Sequence, residues 1–277
     1  IWNVARTKSE IQANMNKSLT GSESGLAAYY KMSEGSGTSL ADSSSNSNTG
    51  TLISMTNADW VDSNASFSAS SDFFNIPNVS GHTKVDGTTA TFKVAIDESP
   101  ALPAPAAAPA VSGSDFFNIT NISGHSSEGG ATSTFKVALK DNSEFHSAPN
   151  KALDFDGSND YVAVSNPSSI PVGNESYTIE AWIYADQMGT RGIVGWGNYG
   201  SINQVNALRL HNGGIHHYWW GRDVTMHVGG LTGAWHHVAA TWDGTDRKLY
   251  LDGVYNTGDQ PAAHNVPSAN NFRIGST

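Results

Sequence analysis

The chain has no cysteine. Disulfides and thiolate-ligated metal sites are therefore excluded. Charge is scarce, at 14% of residues, and mostly of one sign: 15 Lys and Arg against 25 Asp and Glu give a net charge of −10. An acidic balance with no basic cluster argues against nucleic acid as a partner, because phosphates must be neutralised by Lys and Arg. Long hydrophobic runs are also missing. The most apolar low-complexity stretch, Ala101 to Val111, is short and broken by Pro103, Pro105 and Pro109, so this segment carries no membrane span. There is no initiator Met and no leader-like segment. Both ends read as strand-like, and the expectation is a piece of a longer polypeptide.

What is present is aromatic and glycine-rich: 8 Trp, 9 Tyr, 10 Phe and 28 Gly in 277 residues. That length can bury a substantial core, as one large domain or two smaller ones, and the aromatics argue against disorder. One helix stands out, over residues 4–16, where Thr7 followed by Glu10 has capping-box spacing. Almost everything else reads as short strands between Gly, Asn, Asp and Ser clusters. Ala28 to Met32 reads as a strand and 40–50 as a loop. Further strands are expected over 152–155, 161–164, 177–185, 192–196, 207–210, 215–220, 235–242, 248–251 and 271–274, with Asp243-Gly244 and Asp252-Gly253 as turns. Many evenly spaced short strands indicate an all-β sandwich or barrel.

Between residues 64 and 148 a unit is duplicated. Ser71-Asp72-Phe73-Phe74-Asn75-Ile76 recurs as Ser114-Asp115-Phe116-Phe117-Asn118-Ile119, and Thr91-Phe92-Lys93-Val94-Ala95 recurs as Thr134-Phe135-Lys136-Val137-Ala138, at one constant offset. The expected organisation is two β repeats, 71–97 and 114–140, joined by an Ala/Pro linker and inserted between 1–63 and 147–277.

Three groups of residues carry a resemblance. Lys151-Ala152-Leu153-Asp154-Phe155-Asp156-Gly157-Ser158-Asn159-Asp160-Tyr161-Val162 is similar to the opening of laminin-G-like, concanavalin-A-like jelly rolls of bacterial surface proteins. Tyr177 to Ile183 and His217 to Gly221 resemble later strands of that family. So does the hairpin of Trp235 to Ala239, Trp242-Asp243-Gly244 and Leu249 to Gly253. The resemblance implies an antiparallel jelly-roll sandwich. Ile1 to Thr7 resembles the family's final strand and closing helix, so the sequence reads as a permuted jelly roll, 1–63 being its end and opening strands and 147–277 its main body. The strand expected between Thr277 and Ile1 is missing from the sequence, leaving a sheet to be completed by other residues or another subunit.

Catalysis is not expected. Glycoside cleavage needs two carboxylates about 5 to 9 Å apart, and the Glu-x-Asp-x-x-Glu run of glucanase relatives is absent. The odd spacing of Glu175 and Glu180 puts them on opposite faces of a strand. Asp154, Asp156, Asn159 and Asp160 offer hard oxygen ligands of the kind calcium takes, and related jelly rolls carry calcium near this loop; Asp and Asn equally build turns. His216/His217 and His236/His237 point to alternate faces, and neither pair chelates by itself. For glycan binding the candidates are Trp196, Tyr199, Tyr218, Trp220 and Asp223. Aromatic faces stack on sugars, and of Trp219 and Trp220 at most one can be a platform, because the other faces the core. The expected role is a non-catalytic adhesive or structural module of an extracellular or cell-surface bacterial repeat protein, binding a polysaccharide or cell-surface glycan. The alternative is a filament or sheath subunit completed by strand addition from a copy of itself or a neighbouring repeat.

Overall fold

A computed structural model describes residues 1–63 and 151–277. The expected duplicated insertion and its linker lie outside the described residues. The elements are α1 (Lys8–Asn14), β1 (Ser39–Leu40), β2 (Gly50–Ile53), a 3-10 turn at Asn57–Asp59, β3 (Trp60–Asp62), β4 (Lys151–Leu153), β5 (Tyr161–Val164), β6 (Tyr177–Tyr184), β7 (Arg191–Gly197), β8 (Val205–His211), β9 (Gly214–Tyr218), β10 (Val224–His227), β11 (Trp235–Trp242), β12 (Arg247–Leu251), β13 (Val254–Asp259) and β14 (Phe272–Ile274). The strands form an eight-stranded sheet, β1-β2-β5-β14-β7-β8-β9-β10, a four-stranded sheet, β13-β12-β11-β6, and the small pair β3-β4. All strand pairings are antiparallel. This is the expected jelly-roll sandwich.

Period-two alternation decides which side chains enter the core. Across the large sheet, Leu52, Val162, Ile274, Val194, Leu208 and His217 stand opposite one another strand by strand and face inward. One residue along, Thr51, Ala163, Arg273, Gly195, Ala207 and Tyr218 form the neighbouring row on the outer face. A further outer row joins Gly192, Arg209, His216 and Thr225. The core between the sheets is built on Trp196, Trp219, Trp242, Tyr177 and Phe272, all buried.

The helix is one turn shorter at its start than its pattern suggests, because Thr7 is the cap itself. The Thr7 hydroxyl accepts from Glu10 N, and the Glu10 carboxylate accepts from Thr7 N. Ile11 buries against Ala239 and Tyr250 on the outer face of the four-stranded sheet. Ahead of the helix, Trp2 pairs with Thr178 at the start of β6. Arg6 donates to Glu180 Oε1 at 2.9 Å and lies 4.0 Å over the Trp2 ring. Burial alone would raise the Glu180 carboxyl, but His237 and Arg6 outweigh it and hold it down at about 2. His237 Nε2 stands 3.4 Å from Glu180 Oε2, an ion-pair distance rather than a full hydrogen bond.

One expected strand does not form. Residues 28–32 make a single bridge, Tyr30 to Asp42, and the backbone turns to positive φ at Met32. Side-chain chemistry replaces a ladder there: the Asp42 carboxylate accepts from the backbone N–H of Tyr29, Ser44 and Asn48. Conversely, β10 and β13 were not expected. Val254-Tyr255-Asn256 are exposed and Thr257-Gly258-Asp259 half-buried, so no apolar alternation marks β13.

Candidate functional site: an aromatic and cationic face on the large sheet

The outer rows of the large sheet end at β9 and β10, and the candidate site lies there. Tyr218 is the last residue of β9, and the chain then turns at Trp220 and Gly221, both at positive φ, 65° and 105°. A bulky residue at positive φ is an outlier that its surroundings must hold in place. Asp223 does so, its Oδ1 accepting from Trp219 N at 3.0 Å and Gly221 N at 3.2 Å. The turn sends Trp219 into the core and leaves the Trp220 indole 42% exposed. The two tryptophans face opposite ways because the chain turns at Trp220. Trp220 packs against Tyr218 with ring centroids 6.1 Å apart. Gly221 stands close to Ile202, an exposed side chain on the β7–β8 loop.

Behind Trp220 the face is a continuous stack. Arg209 lies over Tyr218 at 4.3 Å, His216 packs on Tyr218 at 5.7 Å, and His211 on His216 at 5.1 Å. His216 shares a hydrogen bond with Thr225 Oγ1 at 2.7 Å, and its Nε2 is 3.7 Å from Asp223 Oδ2. Burial would raise the Asp223 carboxyl; His216 and the backbone donors of the turn outweigh it and lower it. Burial, with Arg209 beside it, pushes His211 down. Further along the same face Arg273 sits 5.2 Å over the Tyr161 ring. Gly192 and Gly195 are closely covered on this face. A Cβ at Gly195 would meet the Tyr199 hydroxyl at 2.5 Å, and one at Gly192 would meet the Ser276–Thr277 backbone at 2.5 Å.

The structure thins the set expected from sequence. Trp196 is fully buried: it points to the inner face, stacks on Phe272 at 5.9 Å and donates to Pro171 O at 2.8 Å, so it offers no face to a ligand. Tyr218 is 2% exposed and supports Trp220 from behind. Tyr199 folds back over Gly195 and packs with Val205, Ala207 and Tyr218. Trp220 and Asp223 remain at the surface, joined by Arg209, His216 and Arg273, which sequence reasoning passed over. Their only signal was odd–even placement in strands whose register was not yet known.

In the 154–160 loop the Asp156 and Asp160 side chains tie the turn. Asp156 Oδ1 accepts from Ser158 N at 2.7 Å and Asn159 N at 3.2 Å, and Asp160 Oδ2 accepts from Asp156 N at 3.1 Å. Asp154 uses its backbone N–H on Asp59 O. Among the described residues no three His, Asp or Glu side chains gather as metal ligands. Glu180 is committed to Trp2 and Arg6, and Glu175 accepts from Val172 N.

A second concavity, of about 1180 Å³, runs beside β6. Tyr184 and Trp235 pair along it at 5.7 Å, and its lining is mixed, with Leu153, Ile183 and Ile193 beside Asp154, Gln187 and Arg191.

Residues 156–277 match the concanavalin A-like lectin/glucanases superfamily. The laminin-G-like resemblance is thereby borne out over the strands from β5 to β14. No curated protein matches the chain. Solved structures similar to it include a Bacteroides ovatus protein assigned as carbohydrate-binding, at 22% identity over 42% of this chain and 34% of that one, TM-score 0.34. Domain 4 of an extracellular arabinanase from Geobacillus stearothermophilus, in complex with arabinotriose, shares 16% identity over 46% of this chain and 63% of that one, TM-score 0.37. A carbohydrate binding module from Bacillus subtilis shares 12% identity over 46% of this chain and 84% of that one, TM-score 0.27. This chain thus spans less than two thirds of the first two structures. Among the described residues no helix is long and apolar enough to cross a membrane.

Proposed function

We propose that the jelly roll is a non-catalytic carbohydrate-binding module of a surface or secreted bacterial protein, with Trp220 as its stacking platform. The observation that carries this reading is the exposed indole held at positive φ by a turn that Asp223 ties. Strain kept at an exposed aromatic is a signature of recognition rather than of packing. An indole face stacks on the C–H face of a sugar, while Asp223 and Arg222 beside it are polar groups of the kind that read hydroxyls. Membership of residues 156–277 in a superfamily of lectins and glucanases supports the same class of ligand.

The test is polysaccharide binding by affinity electrophoresis with Trp220→Ala. Binding should weaken at least about tenfold, the loss of about 1.4 kcal/mol, with an unchanged melting temperature. Tyr184→Ala, along the β6 groove, should leave it unchanged. The reverse pattern would refute the Trp220 site.

One observation favours self-assembly by strand addition as a second reading: β6 is the outermost strand of its sheet among the described residues, with Trp2 pairing at Thr178. If this reading is right, deleting residues 1–16 abolishes polymer in electron micrographs; intact polymer would refute it.

A further inference from the structure

Four packed arginines of this unit are held in two different ways. Arg6 and Arg247 are buried, and each meets a carboxylate, Glu180 at 2.9 Å and Asp259 at 2.7 Å. Arg209 and Arg273 are half-buried on the outer face of the large sheet, each laid over a tyrosine ring. Neither meets a carboxylate within 4.0 Å among the described residues. Arg209 Nε is moreover buried without a hydrogen-bond partner. A chain with ten more acidic than basic side chains has carboxylates to spare, yet none is spent here. Asp223, the acidic side chain of the face, is taken up by the Trp219–Gly221 turn and His216. Arg209 and Arg273 leave two cationic groups without carboxylate partners on this face of an acidic protein.

Geometry adds a length. Arg273 and Arg209 lie two strands apart and two residues out of row, through the Arg273–Gly195–Ala207 pairing and the step from Ala207 to Arg209. Strand spacing and rise put their backbones on the order of 12 Å apart. A planar guanidinium pinned on a ring keeps its free N–H groups directed outward, and it binds carboxylate or sulfate with little further loss of freedom.

Building on the carbohydrate reading, we propose that the ligand is an anionic polysaccharide, with carboxylate or sulfate groups held by Arg209 and Arg273 while a sugar ring stacks on Trp220. Uncharged glycans reach the indole alone and bind more weakly. The two cationic groups on a chain of net negative charge also favour approach in one orientation.

The experiment compares polygalacturonate, dextran sulfate and uncharged dextran as probes by titration calorimetry, at low and at half-molar salt. The anionic probes should bind at least about tenfold tighter than dextran at low salt and lose most of that advantage at high salt. Preference for polygalacturonate or for dextran sulfate identifies carboxylate or sulfate as the group held. Arg209→Gln should remove the advantage and flatten the salt dependence. Arg273→Gln, on the far side of the face, provides a second variant if Arg209→Gln fails to fold. Trp220→Ala should weaken all three probes. Equal binding of charged and uncharged probes, lost only in Trp220→Ala, would overturn the anionic class and leave the carbohydrate module standing. No binding of any probe at low salt would overturn both. Anionic binding untouched by either arginine change would place it elsewhere and overturn this site.

Discussion

Glu180→Gln keeps the shape of the side chain and removes its charge. In the structure Glu180 Oε1 accepts from Trp2 Nε1 and from Arg6, and both partners of the ion pair are shielded, at 13% and 6% side-chain exposure. The carboxyl is held at about 2 against an ordinary 4.5. Its charged form is therefore favoured on folding by about 3 kcal/mol at neutral pH. Cutting one side of a buried pair costs about 3–5 kcal/mol by a separate route, because the other charge stays buried. The amide retains some hydrogen bonding, so about 3 kcal/mol is expected. For a unit of this size the melting temperature should fall by roughly 10 °C, and the urea midpoint should drop at constant slope. The pH dependence has a definite sign. A depressed carboxyl contributes fully above its unfolded value of 4.5 and less as pH falls toward 2. The gap between wild type and Glu180→Gln should therefore be constant from pH 7 to 5. Below that it should shrink by about 1.4 kcal/mol per pH step. A gap below about 1 kcal/mol at pH 7, or one that stays as wide at pH 3.5, would refute the argument.

Two further outcomes follow from local chemistry. Burial, with Arg247 next, pushes His264 down to about 4 and His217 well below its ordinary 6.5. Both favour the neutral ring, so their contribution is complete above pH 6.5 and drains away as pH falls toward 4. His264→Phe keeps the face-to-face stack on Trp219, now at 3.9 Å, and should reduce the slope of melting temperature between pH 6.5 and 4.5 while leaving the share of His217; an unchanged slope would show that His264 contributes nothing to it. Thr7→Ala removes the cap of α1 and should cost about 1 kcal/mol in urea unfolding; no loss would mean that Ile11 packing alone fixes the helix.

The capping box of Thr7 and Glu10 is legible in the sequence because both halves of the contact lie within one turn. The opposite facing of Trp219 and Trp220 is expected from alternation, but the structure reaches it through a positive-φ turn past the end of β9. The aromatic-rich strand pattern, with few charges and no cysteine, likewise commits the chain to a β sandwich held by apolar packing. Which face of β7 looks inward is a different matter. Trp196 and Trp220 look alike as candidates until the neighbours are known: Trp196 stands opposite Asn206 on the inner side, and Trp220 sits past the end of β9 in a turn. The 28–32 segment looks like a strand by composition, but Asp42, a distant side chain, takes the donor that a ladder needs.

The cationic face depends still more on tertiary structure. Arg273, Gly195, Ala207 and Tyr218 become one row only when β14 inserts between β5 and β7. Sequence by itself determined the alternation, the caps and the class of fold, because those are set by the backbone over a few residues. Register between strands far apart in the chain decided which side chains meet. That register is fixed by the shared burial of Val162, Ile274, Val194 and Leu208 on the other side of the sheet.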